Sequence, residues 1–252
     1  MAKRIVIANQ KGGVGKTTTA VNLSATLAQK GQRVLLCDFD PQANATSGLG
    51  VDKNSVPVNI YDILISGADP KRGIVKTKWC DVLASNKALA GAGIEMIDLP
   101  NREHLLDNAL NQIEDSYDFI LIDCPPSLEL LTLNGLCAAD SVLIPVQCEY
   151  YALEGLSDLL GTLRAVKKRL NRKISVEGVL LTMYDGRTNL SLQVAEEVKH
   201  HFPGKVYATV IPRNVRLSEA PSHGKPIIAY DRFSKGADAY RRLADEVLRQ
   251  NS

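Results

Sequence analysis

Apolar residues in this chain fall into short, nearly unbroken runs set between longer stretches of mixed polarity. The runs are "RIVIA" (Arg4–Ala8), "RVLLCDFD" (Arg33–Asp40), "FILIDC" (Phe119–Cys124), "SVLIPV" (Ser141–Val146), "SVEGVLLT" (Ser175–Thr182) and "YATVIP" (Tyr207–Pro212). Their length and Val/Ile/Leu content predict strands buried on both faces. Between them the apolar spacing turns helical. Thr17–Gln29 places Ala20, Leu23 and Leu27 on one face and stops at Gly31, a good C-terminal cap. Leu153–Leu170 and Leu190–His201 also predict amphipathic helices, and Lys235–Arg249 aligns Ala239, Leu243, Val247 and Leu248. Strands alternating with helices predict an α/β fold, a mostly parallel twisted sheet with helices on both faces. Val51–Ala90 has no regular period and is assigned no element. With no repeat and no Pro/Gly/Ser-rich linker, residues 1–252 are expected to form one domain.

Composition narrows the class without naming a partner. The 252 residues are 45% hydrophobic and 23% charged, an ordinary globular balance, and the net charge is only +2. No apolar run approaches the roughly 18 residues of a membrane-spanning helix. The N-terminus shares two basic residues and an apolar run with signal peptides. That run spans only Ile5–Ala8 and enters a glycine loop without a small-residue cleavage site, so it is expected to be a buried first strand. Cys37, Cys80, Cys124, Cys137 and Cys148 are scattered singly, a pattern of reduced buried thiols in a cytosolic protein and not of a disulfide framework or zinc site. Basic residues cluster locally: six lie in "RAVKKRLNRK" (Arg164–Lys173), and six more between Lys205 and Lys235 against Glu219 and Asp231.

"NQKGGVGKTTT" (Asn9–Thr19) follows a predicted strand and opens a predicted helix. The glycines let backbone N–H groups converge on phosphate oxygens, and the helix adds its positive N-terminal end. Gly12, Gly13, Val14, Gly15, Lys16, Thr17 and Thr18 are the expected phosphate contacts, with Lys16 on the β- and γ-phosphates and the Thr17 hydroxyl on Mg²⁺. The usual loop opens on a glycine. Here that place falls at Asn9 or Gln10, and an extra lysine, Lys11, stands beside it. Two predicted strands end in carboxylates: Asp123, suited to hold the metal through a water, and Asp38 with Asp40. Ligands of open parallel sheets bind beyond the carboxyl ends of strands, so the three acids are expected in one crevice.

These residues, with "DFDPQANATSGLG", "FILIDCPPSLELLTLNGL", "PVQCEYYALEGL", "LTMYDGRTNLS" and "VIPRNVRLSEAPSHGKPI", resemble the ParA/Soj-type partition ATPases, part of the deviant Walker A class of P-loop NTPases that also holds the MinD proteins. The likeness covers nearly the whole chain and is weakly diagnostic only from about Asn54 to Arg102. It implies an ATPase using ATP and Mg²⁺. It also implies a homodimer when ATP is bound, in which Lys11 reaches the partner's nucleotide. By the same resemblance Asp40 positions the attacking water and Asp38 supports it and the metal shell. The segment after Asp40 is the first switch, "DCPPS" begins the second, and Pro212 and Asn214 meet adenine, Asn214 at the amino edge. It further implies non-specific double-stranded DNA as a partner, bound through phosphates, and a ParB/Spo0J-like centromere-binding protein that triggers hydrolysis. Candidate DNA contacts are Arg187, Lys199, Arg213, Arg216, Lys225, Arg232 and Lys235, with Arg241 and Arg242 beside them. No N-terminal helix-turn-helix extension is expected, because the first strand begins by about Lys3; the expected location is cytoplasmic, on the nucleoid.

Three alternatives remain at this stage. A MinD-like membrane regulator would need an amphipathic C-terminal anchor. The tail "RRLADEVLRQNS" carries Asp245 and Glu246 and no aromatic, so it is expected to pack on its own domain without stable membrane binding. An electron-transfer protein sharing this loop would need paired cysteines, for which Cys124, expected on a buried strand end, is poorly placed. A ParA-like protein positioning a cargo other than DNA is the third.

Overall fold

A computed structural model describes residues 1–149 and 152–251, without the side chains of residues 152–155; Tyr150 and Tyr151 of the "PVQCEYYALEGL" motif lie outside the described residues. Seven strands form one sheet: β1 Lys3–Ile7, β2 Val34–Asp38, β3 Ile74–Lys76, β4 Asp81–Leu83, β5 Phe119–Asp123, β6 Ser141–Gln147 and β7 Ser175–Thr182. Their order is β3-β4-β2-β5-β1-β6-β7, all neighbours parallel except the β3–β4 edge pair. Strand β1 therefore sits inside the sheet, between β5 and β6.

The helices are α1 Lys16–Gln29, α2 Asn44–Gly48, α3 Ile60–Ser66, α4 Leu89–Glu95, α5 Leu105–Asn111, α6 Leu130–Ala138, α7 Ala152–Arg169, α8 Asn189–His201, α9 Val215–Glu219, α10 Ile227–Tyr230 and α11 Lys235–Gln250. Period-two alternation of β1 divides them into layers. Ile5 and Ile7 pack with apolar residues of α1, α2, α9, α10 and α11, while Val6 and Ala8 pack with those of α3 to α8. Gly31 ends α1 with φ 89°, a left-handed position glycine fills at no steric cost.

Where the chain departs from its expected elements, a specific competitor is visible. The apolar run Tyr207–Pro212 is not a strand. It lies beside β7 but makes only isolated bridges, Val179 with Val206 and Tyr184 with Pro212. A competitor is Glu246 of α11, whose carboxylate accepts the N–H groups of Ala208 and Thr209, at 2.9 and 2.8 Å; the Thr209 amide lies between those of Tyr207 and Ile211, which do donate to β7. Strands β3 and β4 lie in the stretch assigned no element. At three residues each they are too short to show a period.

Helix α11 is packed onto its own domain. Ala237, Ala239, Tyr240, Leu243, Ala244 and Val247 are buried, and the Tyr240 hydroxyl meets Thr19 Oγ1 at 3.2 Å on α1. Beyond it, Asn251 Nδ2 donates to Glu177 on β7 at 2.6 Å. Leu243 is wholly enclosed. Leu243→Ala is expected to cost about 2–5 kcal/mol, from the transfer energy of the deleted atoms plus the cavity left behind. A chemical denaturation curve with an unmoved midpoint would contradict this packing.

Candidate active site

The loop between β1 and α1 is held open by its own backbone. Gly13 and Gly15 have φ 74° and 88°, positions an L side chain would strain. Gly15 is the N-cap of α1 and supplies no side-chain cap, and the first turn carries no acid, so its N–H groups are left for an anion. Asn9, standing near the usual first glycine, is buried and works at both ends. Its Nδ2 donates to the Pro145 carbonyl on β6 at 2.7 Å, and its Oδ1 accepts the Lys11 N–H at 3.0 Å. Thr182 at the end of β7 donates to the Val14 carbonyl at 2.8 Å.

The two lysines have different surroundings. Lys16 is buried and donates to the Lys11 carbonyl at 3.0 Å. Burial lowers its pKa, and the charges of Asp123 and Asp40 oppose that shift. Lys11 is about one-third exposed, and its ammonium lies 3.5 Å from Glu149 Oε2.

Sheet register brings the carboxylates together. Asp38 and Asp123 are partners at the ends of β2 and β5, and Ile7 of β1 also pairs with Asp123. Asp38 is wholly buried with both oxygens engaged. Oδ1 accepts the Asp40 N–H at 3.2 Å, and Oδ2 accepts the N–H and hydroxyl of Thr46, each at 2.7 Å. It clamps the segment 40–46, in which Ala43 takes an unusual left-handed φ of 53°. Burial raises the Asp38 pKa to about 6 despite the Thr46 hydrogen bonds. Asp40 Oδ1 accepts the Gln42 N–H at 2.9 Å, and its carbonyl accepts from Ser85 Oγ at 2.8 Å.

Asp123 is different. Both its oxygens are buried without a hydrogen-bond partner, and the Thr17 hydroxyl faces them without closing a full bond. Burial first, then the charge of Asp38, pushes its pKa well above the ordinary carboxylate range. A buried, unsatisfied carboxylate beside a lysine and a threonine hydroxyl is costly unless a cation or its water completes it. Among the described residues no group of three His, Cys, Asp or Glu could hold a metal alone. Mg²⁺ is commonly held by one or two protein oxygens together with substrate phosphates, and the Thr17 hydroxyl and Asp123 are oxygens of that kind. All five cysteines are buried and free.

Next to the loop opens a cavity of about 490 Å³ lined by Gly15, Thr18, Met183, Pro212, Asn214 and Tyr240, among others. Pro212 and Asn214 thus share a wall with the phosphate loop. Asn214 Oδ1 caps α9 by accepting the Arg216 N–H at 2.9 Å. The amide oxygen keeps a second lone pair for a donor such as an amino edge, and the N–H₂ remains a donor suited to a ring nitrogen. Thr182, Met183 and Ile211 also line the cavity; they fall within "LTMYDGRTNLS" and "VIPRNVRLSEAPSHGKPI", but sequence reasoning assigns them no role there. For Thr182 a further signal is the end of the "SVEGVLLT" run, where a parallel strand meets the crevice.

A family model described as an AAA domain matches residues 2–176. The chain is 61% identical over 249 residues to the sporulation initiation inhibitor protein Soj of Bacillus subtilis, covering 98% of both chains. It is 51% identical over 250 residues to the chromosome partitioning protein ParA of Myxococcus xanthus, covering 98% of this chain and 88% of that one. The chain belongs to the ParA/Soj family of partition ATPases. Among solved structures, a protein described as cobyrinic acid a,c-diamide synthase from Mycobacterium smegmatis, bound to an ATP analogue and magnesium, is 39% identical. It superposes with a TM-score of 0.89, covering 99% of this chain and 95% of that one.

In this ParA/Soj protein most of the basic candidates share one side. Arg213, Arg216, Lys225, Arg232 and Lys235 are exposed along the 213–235 run, in the layer of α9 to α11, where Arg241 and Arg242 follow. Arg216 is paired with Glu219 at 2.8 Å and Arg242 with Asp238 at 2.5 Å. Arg213, Lys225, Arg232 and Lys235 have no ion pair among the described residues, and Arg232 stacks 4.5 Å over the exposed Phe233 ring. Arg187 lies in the β7–α8 turn, bound to Asp185 at 2.7 Å. Lys199 stands apart on α8, in the opposite layer, paired with Glu196. Lys167, Lys168 and Arg169 of the other basic run close α7, where cations complement the helix dipole.

Proposed function

We propose that this chain is a nucleotide-gated partition switch, a single ATPase domain over residues 1–252. With ATP it forms a homodimer that holds double-stranded DNA without sequence preference. A ParB/Spo0J-like centromere-binding partner stimulates hydrolysis and so releases it. The observation that carries the reading is Asp123, whose two buried, unpartnered oxygens face Thr17 and Lys16 at the mouth of the loop.

The N–H groups of Gly12 to Thr18 and the Lys16 ammonium bind the β- and γ-phosphates, Lys16 leaving the Lys11 carbonyl to do so. Magnesium, when held by Thr17 and through a water by Asp123, neutralises charge on the β- and γ-oxygens. Asp40 accepts a hydrogen bond from the water that attacks the γ-phosphorus. The bond to the β,γ-bridging oxygen breaks, and ADP and phosphate leave. Asp38 keeps Asp40 in place through the segment it clamps. Pro212 and Asn214 bound the base.

Lys11 makes the dimer conditional on nucleotide. Two facing triphosphates repel unless cations lie between them, and Lys11 supplies one in trans. Its present contact with Glu149 is long and partly exposed. Such pairs contribute about 0–1 kcal/mol, so little opposes release toward a polyanion. Lys11→Ala is expected to weaken ATP-dependent dimerisation. A variant whose mass in solution doubles with ATP as the parent's does would remove the trans role.

Dimerisation doubles the basic surface of Arg213, Arg216, Lys225, Arg232 and Lys235, with Arg187 beside it, and so multiplies phosphate contacts. DNA binding of this kind belongs on the nucleoid, in the cytoplasm. The buried face of α11 argues against a membrane anchor at that helix. The deciding experiment is a salt-dependent duplex titration with ATP, with ADP and without nucleotide, run with a mass measurement. ATP alone should promote both pairing and DNA binding; equal affinity in all three states would refute the coupling.

A further inference from the structure

One basic groove, distinct from the nucleotide crevice, takes no part in the chemistry above. It has a volume of about 640 Å³ and lies between the β3–β4 turn and the loop that follows α9. Lys76, Lys78 and Trp79 form one wall, and His223 and Lys225 another. Both lysines of the turn and both residues of the loop are exposed. Lys78 and Lys225 have no ion pair or side-chain hydrogen bond among the described residues, while Lys76 pairs with Asp81 at 2.5 Å. The lining carries one acid, Asp52, whose Oδ1 accepts the Asn54 N–H. Cations so concentrated, with two left unpaired, complement a polyanion.

A second observation concerns the groove's floor. Gly50, just past α2, lies against Gly224 backbone to backbone. A Cβ on Gly50 would stand 3.0 Å from the Gly224 carbonyl oxygen, and one on Gly224 would stand 2.7 Å from the Gly50 Cα. Both glycines have positive φ, 80° and 59°. The contact therefore has no slack in which side chains could yield. It joins the segment clamped by Asp38 through Thr46 to the residue preceding Lys225.

We propose that this groove extends the DNA-binding surface, seating duplex phosphates on Lys76, Lys78 and Lys225, and that the Gly50–Gly224 contact ties its shape to the nucleotide. The proposal rests on the DNA-binding reading above and adds a second wall to it. ATP at the carboxylates sets segment 40–50, that segment sets the loop carrying Lys225, and the two walls then match the phosphate spacing. Linkage makes the effect reciprocal: if ATP tightens DNA in the groove, DNA tightens ATP by the same factor.

Trp79 is the only tryptophan of the chain, so its emission reports on the groove directly. The test uses the full chain with ATP, a labelled 24-base-pair duplex, and the variants Lys76→Ala/Lys78→Ala and Lys78→Glu. Their thermal midpoints serve as a check on folding, and Asp81 keeps the Tyr117 hydroxyl as a partner when Lys76 is removed. Duplex affinity should fall in both variants, and the slope of log affinity against log salt should flatten by about 0.9 for each phosphate that is no longer neutralised. Unlabelled duplex should change Trp79 emission in the parent, and that emission should already differ between ATP and ADP before DNA is added. Parental affinity and slope in both variants, together with weakened binding by Arg216→Ala/Lys235→Ala, would overturn the groove and leave the broader reading intact. A parent that binds no duplex with ATP would overturn both. Emission that responds to polyglutamate and not to duplex would make the groove an acidic-peptide site instead. Equal emission in ATP and ADP would overturn the coupling.

Discussion

Asp40→Ala is expected to bind ATP and to pair, yet to lose at least about 10²-fold in turnover, the usual consequence of deleting one group aimed at a reacting centre. The variant would accumulate on DNA because release follows hydrolysis. The structure refines how this must be measured. Asp40 Oδ1 also accepts the Gln42 N–H, so alanine removes a loop hydrogen bond along with a negative charge. Asp40→Asn keeps an oxygen for Gln42 and discards only the charge. If asparagine turns over ATP like the parent while alanine does not, Asp40 supports the loop and another group handles the water.

Lys16→Ala is expected to abolish nucleotide binding while leaving the fold intact. The ammonium is buried, and its charge is disfavoured by that burial, so its loss removes a desolvated cation at modest cost. Without it Asp123 loses a neighbouring positive charge and its pKa rises further from an already elevated position. The crevice then lacks both a phosphate ligand and a cation that favours the ionised form of Asp123. Calorimetric titration with Mg-ATP should show no heat of binding, with the thermal midpoint close to that of the parent. Retained binding would reassign the phosphate contact to the backbone N–H groups alone.

Much of this architecture is legible in the sequence because a buried parallel strand writes itself as an apolar run. Five of the six runs are strands, within a residue or two at either end. The sixth fails at Tyr207–Pro212, where a glutamate nearly forty positions away takes two of its amides, and no local pattern reveals a distant acceptor. Likewise the loop can be read from its glycines and lysines, since its chemistry is set by adjacent residues. The division of labour among the carboxylates cannot. Asp38 and Asp123 both end apolar strands, yet one is saturated by Thr46 and the other has no partner, a difference made by chain folding around them. The Lys11–Glu149 contact and the meeting of Gly50 with Gly224 are equally products of tertiary approach.

The place of β1 has a consequence for biosynthesis. Lys3 pairs with Phe119 and Ile5 with Ser141, so β1, once made, waits for partners more than a hundred positions downstream. At roughly 5–20 residues per second, that interval is on the order of ten seconds. Through it the sticky stretch Ile5–Ala8 has no sheet to join, and the phosphate loop has no frame. A nascent chain of this protein is therefore expected to recruit chaperones early, and to acquire nucleotide affinity only once β6 has emerged.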